Sequence, residues 1–272
     1  MRAALVLATF VAGCPSSPVL APTVPAKEAV PHNFGAVASP ELVASTFNGR
    51  IEVSESTDGA VHATVTKHTE GTNQSDAAAR LRDIEVDFAA QGSVLRVTAR
   101  RTSGRKDDAG AADLVVSLPK DSTLTLTTTN GGVEARGVGR AVTARSSNGD
   151  INLTGGQGPI DATTSNGRIS LRPSGTVTAV AVTSNGAIAF DGALGPGTNR
   201  FETSNGAINL TLPKASEFQL DATTSLGEVT CGFQVTPTGA GTAREVHGRV
   251  GTDQRTLISA HTSVGGISVQ AK

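Results

Sequence analysis

The sequence predicts an all-β parallel solenoid, a β-helix of roughly 18 to 21 residues per coil, and three observations carry that prediction. A turn of Asn-Gly type recurs along the chain at nearly constant spacing. Apolar residues alternate with polar ones on both sides of each turn. The composition suits short strands and tight turns: of 272 residues, 31 are Gly, Thr, Ser and Val recur throughout, Trp and Tyr are absent, and only 8 are Phe.

The turns are Asn48-Gly49, Asn130-Gly131, Asn148-Gly149, Asn166-Gly167, Asn185-Gly186, Asn205-Gly206, Leu226-Gly227 and Val264-Gly265. From Asn130 onward the spacings are 18, 18, 19, 20, 21 and 38 residues. The last is about twice the others, and a degenerate copy near His247-Gly248 would fill the gap. Two residues before each turn stands Ser or Thr: Thr46, Thr128, Ser146, Thr164, Thr183, Thr203, Thr224 and Thr262. Three residues after comes Ile or Val, and five after comes Val53, Leu153, Leu171, Phe190, Leu210, Cys231 or Val269. Offsets two apart are strand alternation with one face buried.

An Asn-Gly pair between alternating runs is also a hairpin signal. A coil accounts better for the single period and for the Ser/Thr at one fixed position, where the hydroxyls stack as an inward ladder. Gly in all eight copies points to a backbone conformation that a β-carbon would strain. The turn residues Asn130, Asn148, Asn166, Asn185 and Asn205, with Gly131, Gly149, Gly167, Gly186, Gly206, Gly227 and Gly265, are therefore read as a structural ladder. The register makes two further expectations: Asp150 beside Arg168, and Arg200 beside Asp221. It also expects one buried stack of Ile151, Ile169, Ile188 and Ile208, flanked by Leu153, Leu171, Phe190 and Leu210.

Residues 54–123 lack the repeat. Strand-like runs stand at Val61–Val65, Ile84–Phe88, Val94–Ala99 and Leu114–Leu118, and a short helical turn at Asp76–Arg82 takes Asp76 as its cap. Arg100–Asp108 is charged and reads as an exposed loop. This region is either a set of wider coils or a cap over the solenoid's open edge.

The N-terminus carries export signals. After Met1-Arg2, the apolar run Ala3–Val11 is too short to span a bilayer and ends in Val11-Ala12-Gly13-Cys14. It resembles a bacterial lipoprotein lipobox. That resemblance implies a signal peptide at 1–13 and a lipid on Cys14 holding the mature protein to the membrane in the cell envelope, at the outer membrane if the cell has two. The alternative is an ordinary signal peptide cut near a cysteine. Proline recurs from Pro15 to Pro40, so residues 14–38 read as an extended tether and 39–272 as the solenoid domain.

The Thr-Ser-Asn-Gly-x-Ile-x-Leu units, the segments Val116-Ser117-Leu118-Pro119-Lys120 and Leu210-Thr211-Leu212-Pro213-Lys214, and the late His247-Gly248-Arg249-Val250-Gly251 together resemble a known family. It is the bacterial putative-adhesin domain of unknown function numbered 4097. The resemblance covers about residues 39–272 and implies a surface-exposed β-solenoid, with no catalytic residues to carry over. Leu226 and Val264 depart from it, standing where Asn is usual.

Charge and side-chain chemistry narrow the function. With 23 basic against 24 acidic residues, no basic surface calls for nucleic acid. Acid-pair glycan chemistry needs two carboxylates at matching offsets on neighbouring coils. The rows containing Asp150 and Asp161 do not supply them. His32, His62, His68, His247 and His261 lack metal-ligand spacing, so no metal or other cofactor is expected. Cys231 takes an inward position and reads as an inert thiol. The expected function is non-catalytic: an envelope lipoprotein presenting a β-surface to a protein or glycan partner. An envelope-stress sensor is the alternative, and a glycan-cleaving enzyme a weaker one.

Overall fold

The computed structural model describes residues 23–102, 104, 110–238, 242–252 and 255–272. Each repeat unit makes one rung of two strands meeting at the turn glycine, as in Ala141–Asn148 followed by Ile151–Thr154. Pre-turn strands form one sheet of 12 strands and post-turn strands a second of 11. Their inner faces enclose the core, so the class expected from the repeat is the class observed.

The register is the expected one through the middle of the molecule. Asn148 pairs with Asn130 and Asn166, Asn166 with Asn185, and Asn185 with Asn205. Ile151, Ile169, Ile188 and Ile208 stack directly on one another and are completely buried. Leu153, Leu171, Phe190 and Leu210 form the next column inward, and Phe190 packs on Phe201 with ring centroids 5.6 Å apart. The core is narrow because the facing column is mostly alanine, including Ala144, Ala162, Ala181, Ala222 and Ala260.

The rung order departs from the sequence order at both ends. Toward the N-terminal end, the Gly49 rung lies directly on the Gly131 rung, although some 70 residues separate them in the chain. The intervening segment builds the end of the solenoid outside the Gly49 rung. Val94–Arg101 and Ala111–Leu118 form one more rung, parallel to Glu41–Asn48 and Ile51–Glu55. This rung has no Asn-Gly, so the repeat does not reveal it. Antiparallel strands then finish both sheets: Ile84–Gln91 on one, and Ala60–Gly71 followed by Val24–Ala36 on the other.

Two expectations are corrected there. Residues 24–36, expected in the tether, form the long edge strand paired with Ala60–Gly71. Pro25 and Pro31 lie an even number of residues apart, so both missing N–H groups fall on one side of the strand, and the open edge is where a sheet tolerates them. Prolines there also blunt the edge against pairing with other chains. The helix spans Gln74–Arg82, and Asn73, not Asp76, is its cap. Asn73 Oδ1 accepts from the Asp76 N–H at 2.9 Å, while the Asp76 carboxylate reaches back to the Thr72 N–H at 2.9 Å. Asp76 thus works as the reciprocal partner in a capping box. Of the segment read as an exposed loop, Arg100 and Arg101 close a strand, while residue 103 and residues 105–109 lie outside the described residues.

At the C-terminal end the final rung, Thr256–Val264 with Ile267–Ala271, is inserted between the Gly206 rung and the Gly227 rung. Arg200 therefore faces Ser259, and Asp221 lies on the far side of that serine. The expected Arg200–Asp221 contact is absent. Arg200 pairs with Glu202 on its own strand, and Asp221 meets His247 Nδ1 at 3.0 Å. His247-Gly248 is not a missing rung. It belongs to Glu245–Val250, which runs antiparallel to Phe218–Leu226 and, with Thr236–Pro237, finishes that sheet. The doubled spacing of 38 residues reflects this edge, built between two rungs.

Candidate functional site

The turns show why the unit repeats. A β-carbon on Gly167 would lie 2.1 Å from the Gly149 carbonyl oxygen, and Gly131, Gly149, Gly186, Gly206, Gly227 and Gly265 meet the same obstruction at 2.0 to 2.1 Å. Close backbone stacking between rungs, more than the turn's own conformation, excludes any side chain. The Ser/Thr two residues before each turn then satisfies the carbonyl. Thr164 Oγ1 donates to Gly149 O, Thr183 to Gly167 O, Thr203 to Gly186 O and Thr262 to Gly206 O, each at 3.0 Å. At the first turn Thr46 donates to Ala112 O at 2.8 Å, where Ala112 belongs to the rung without Asn-Gly.

A buried acceptor that loses its donor is costly. Thr164→Val is expected to lower unfolding stability by about 1 to 3 kcal/mol, while Thr164→Ser stays near wild type. Chemical denaturation of the two variants checks this.

Outside the turn runs a second ladder. Asn130 Nδ2 donates to Asn48 Oδ1 at 2.6 Å, Asn148 to Asn130 at 2.8 Å, Asn166 to Asn148 and Asn185 to Asn166 at 2.9 Å, and Asn205 to Asn185 at 3.0 Å. Every amide points the same way, and Asn48 finishes the series on the Gly110 carbonyl at 3.2 Å. The asparagines therefore bond to one another. Where Val264 and Leu226 replace Asn the ladder stops, leaving two apolar side chains 46% and 60% exposed.

Beside that ladder, on the outer face of the pre-turn sheet, is a feature the alignment contained but its offsets did not single out. Thr129, Ser147, Ser165, Ser184, Ser204, Ser263 and Ser225 occupy one outward column through seven consecutive rungs, and all are exposed. At its C-terminal half the column runs into a shallow trough of about 490 Å³, lined by Ser184, Ser204, Ser225 and Ser263 together with Val182, Glu202, Thr223 and His261. Glu202 is held below the usual carboxylate range mainly by its hydrogen bond from Arg200, with a weaker pull from the facing His261.

Asp150 and Arg168 lie in register as expected, but their bond is a different one. The Asp150 carboxylate accepts from the Arg168 backbone N–H at 2.7 Å, and Asp113 does the same for Arg50 at 2.8 Å. Asp161 takes Arg145 instead, at 3.0 Å. One pair of acids does lie side by side, in a row the sequence comparison omitted: Glu52 faces Glu134 across the post-turn sheet. Arg50 bonds Glu52 and Arg136 bonds Glu134, which favours the ionised form of both. Glycan cleavage needs one of two carboxyls protonated beside the other, and paired arginines oppose that.

Among the described residues no group of three His, Cys, Asp or Glu could hold a metal ion. Three histidines sit beside aspartates: His62 on Asp58 at 2.8 Å, His68 on Asp113 at 3.1 Å and His247 on Asp221. His32 instead stacks on Phe88 at 4.6 Å in the N-terminal end. Cys231 is half-buried opposite Val269, and burial pushes its thiol upward, away from the reactive thiolate. Cys14 lies outside the described residues. No helix among those described is long and apolar enough to cross a membrane.

Stacked rungs with an inward hydroxyl ladder and an outward amide ladder define a parallel β-solenoid protein. Residues 108–270 match the family model described as Toastrack DUF4097, and the chain belongs to that family. No curated protein matches it. Among solved structures it is similar to a putative cell adhesion protein from Clostridium sporogenes, at 13% identity and a TM-score of 0.35, over 92% of this chain and 100% of that one. It is also similar to a putative adhesin from Bacteroides fragilis, at 12% identity and a TM-score of 0.40, over 89% and 97%. A third is a putative lipid binding protein from Parabacteroides distasonis, at 11% identity and a TM-score of 0.24, over 90% and 96%. None of these descriptions names a catalytic activity.

Proposed function

We propose that this protein is an envelope-anchored surface binder that works without catalysis, offering the outer face of its pre-turn sheet to a macromolecular partner. The observation that carries this reading is the column of seven exposed hydroxyls running into the trough around Glu202 and His261. Because the asparagines bond to one another, the hydroxyls are the groups left to bond outward. A parallel sheet holds them at about 4.8 Å intervals, which suits an extended polymer better than a compact small molecule. Ser184→Lys with Ser204→Lys should abolish retention of an isolated envelope glycan or protein fraction on the immobilised chain, and leave the circular dichroism unchanged. Retention equal to wild type would sink the assignment of this face.

The anchor is the second part of the proposal, and Val11-Ala12-Gly13-Cys14 supports it. Since the edge strand begins at Val24, only residues 15–23 separate Cys14 from the fold. That length of chain reaches at most about 30 Å, so the N-terminal end of the solenoid sits close to the membrane. Cys14→Ser is expected to release the protein into the soluble fraction. A variant that stays with the membrane after fractionation shows attachment by something other than a lipid.

A further inference from the structure

The inserted C-terminal rung has a consequence for partners. Every junction between rungs uses one set of contacts. Thr262 Oγ1 reaches Gly206 O at 3.0 Å below the inserted rung, and Thr224 Oγ1 reaches Gly265 O at 2.8 Å above it. A β-carbon on Gly265 would meet Gly206 O at 2.1 Å, and one on Gly227 would meet Gly265 O at 2.1 Å. The surface that receives the inserted rung is therefore the same as the surface that rung offers to its outer neighbour. Residues 256–271 are also the last of the chain, so they can leave the slot without threading a loop.

The slot can close behind them in register. With residues 256–271 withdrawn, Thr224 takes the place of Thr262, Val229 that of Ile267 and Cys231 that of Val269, each offset unchanged. The same shift brings Asp221 against Arg200, an opposite-charge pair that the inserted rung now separates through Ser259. The open form is thus a shorter solenoid with matched contacts, which lowers the cost of opening below that of unfolding the whole.

We propose that the Gly265 rung is an exchangeable element and that its partner is a second copy of this chain, the two copies inserting their C-terminal rungs into each other. The slot specifies the occupant. It requires a hydroxyl two residues before a turn glycine, with Ile three and Val five residues after it, at a chain end free to move. Thr262, Gly265, Ile267 and Val269 meet those requirements, whereas the other rungs continue into chain at both ends. Reciprocal exchange re-forms every contact of the monomer, so only the opening is unfavourable. The exchanging rung lies at the end opposite the N-terminal edge strands, roughly 50 Å away at one strand spacing per rung, beside the exposed Leu226 and Val264. This orientation rests on the N-terminal anchoring proposed above; the exchange itself does not. Anchored in that way, the protein carries its exchangeable rung at the outward tip, where it meets a copy on a facing surface.

The test mixes two populations of the full chain, both with Cys14→Ala and Cys231→Ala. One carries Arg200→Cys and the other Ser259→Cys, positions that face each other across the slot. The control mixture carries Arg145→Cys and Thr163→Cys, which face each other in mid-solenoid where no rung can leave. Incubation at high concentration under oxidising conditions should link one Arg200→Cys chain to one Ser259→Cys chain, with at least a tenfold lower yield from the control. Placing both cysteines of the first pair in one chain locks the rung, and that locked protein should sediment as a monomer where the unsubstituted chain dimerises. Equal yields from the two mixtures would reduce the linkage to collision of surface thiols and overturn the proposal. So would an unsubstituted chain that stays monomeric at every concentration. Fractionation of Cys14→Ser reports on the anchor separately, so the two readings fail independently.

Discussion

Gly167→Ala is expected to destabilise the solenoid by on the order of 4 kcal/mol, at the upper end of what a single methyl group does. The new β-carbon would sit 2.1 Å from the Gly149 carbonyl oxygen and 2.5 Å from its carbon. Neither atom can swing aside, because both are backbone held between neighbouring rungs: the Gly149 N–H donates to Asn166 O at 2.8 Å, and the Gly167 N–H donates to Asn185 O at 2.9 Å. Relief requires the rungs to part, which also breaks the Thr164 and Thr183 hydroxyl contacts and the amide ladder around them. Gly59→Ala is the useful contrast. Gly59 has φ +74, but nothing lies within 4 Å of its would-be β-carbon, so it should cost only about 1 kcal/mol, the conformational strain alone. Urea unfolding followed by circular dichroism separates the two. Equal effects would mean that conformational strain, not rung contact, explains the turn glycines.

Ile169→Ala is expected to cost about 2 to 5 kcal/mol. Ile169 is wholly buried, with Ile151 on one side and Ile188 on the other. The strands carrying those neighbours are fixed by their ladders, so the cavity cannot collapse and the loss falls toward the upper part of that range. Ile169→Val keeps most of the volume and should cost about 1 kcal/mol. In a solenoid each rung contacts only its neighbours, so the Ala variant should also show raised amide hydrogen exchange centred on the Gly149, Gly167 and Gly186 rungs. Exchange that rises equally at the distant Gly49 rung would indicate one cooperative unit.

The contrast between these central rungs and the two ends shows how far the sequence could be read. Inside a rung, everything needed is local. Alternation with a period of two assigns each residue to a face, the absence of a β-carbon marks the turn, and Ser or Thr at a fixed offset marks the inward hydroxyl. Those signals placed Asn148 on Asn166 and Ile151 on Ile169 before any coordinates were consulted. The candidate face was present in the same alignment, in the serines next to each asparagine. It carried no distinguishing signal, because an exposed serine next to a turn looks the same whether it binds something or only faces water.

Other features depend on which segments meet. The prolines at 25 and 31 are compatible with an extended tether and with an edge strand; only the pairing of Val24–Ala36 with Ala60–Gly71 decides between them. Asn73 and Asp76 are both good helix caps, and the extended backbone at Asn73 selects it. The order of the rungs is the clearest case. Because each rung offers its neighbours the same glycine, hydroxyl and isoleucine, the repeat determines how any two rungs fit and is silent on which two they are. The insertion of residues 256–271 beneath residues 218–231 was settled by contacts distant in the chain: the antiparallel edge strand Glu245–Val250 holding the outer face of Phe218–Leu226, and the final strands filling the slot on its inner side.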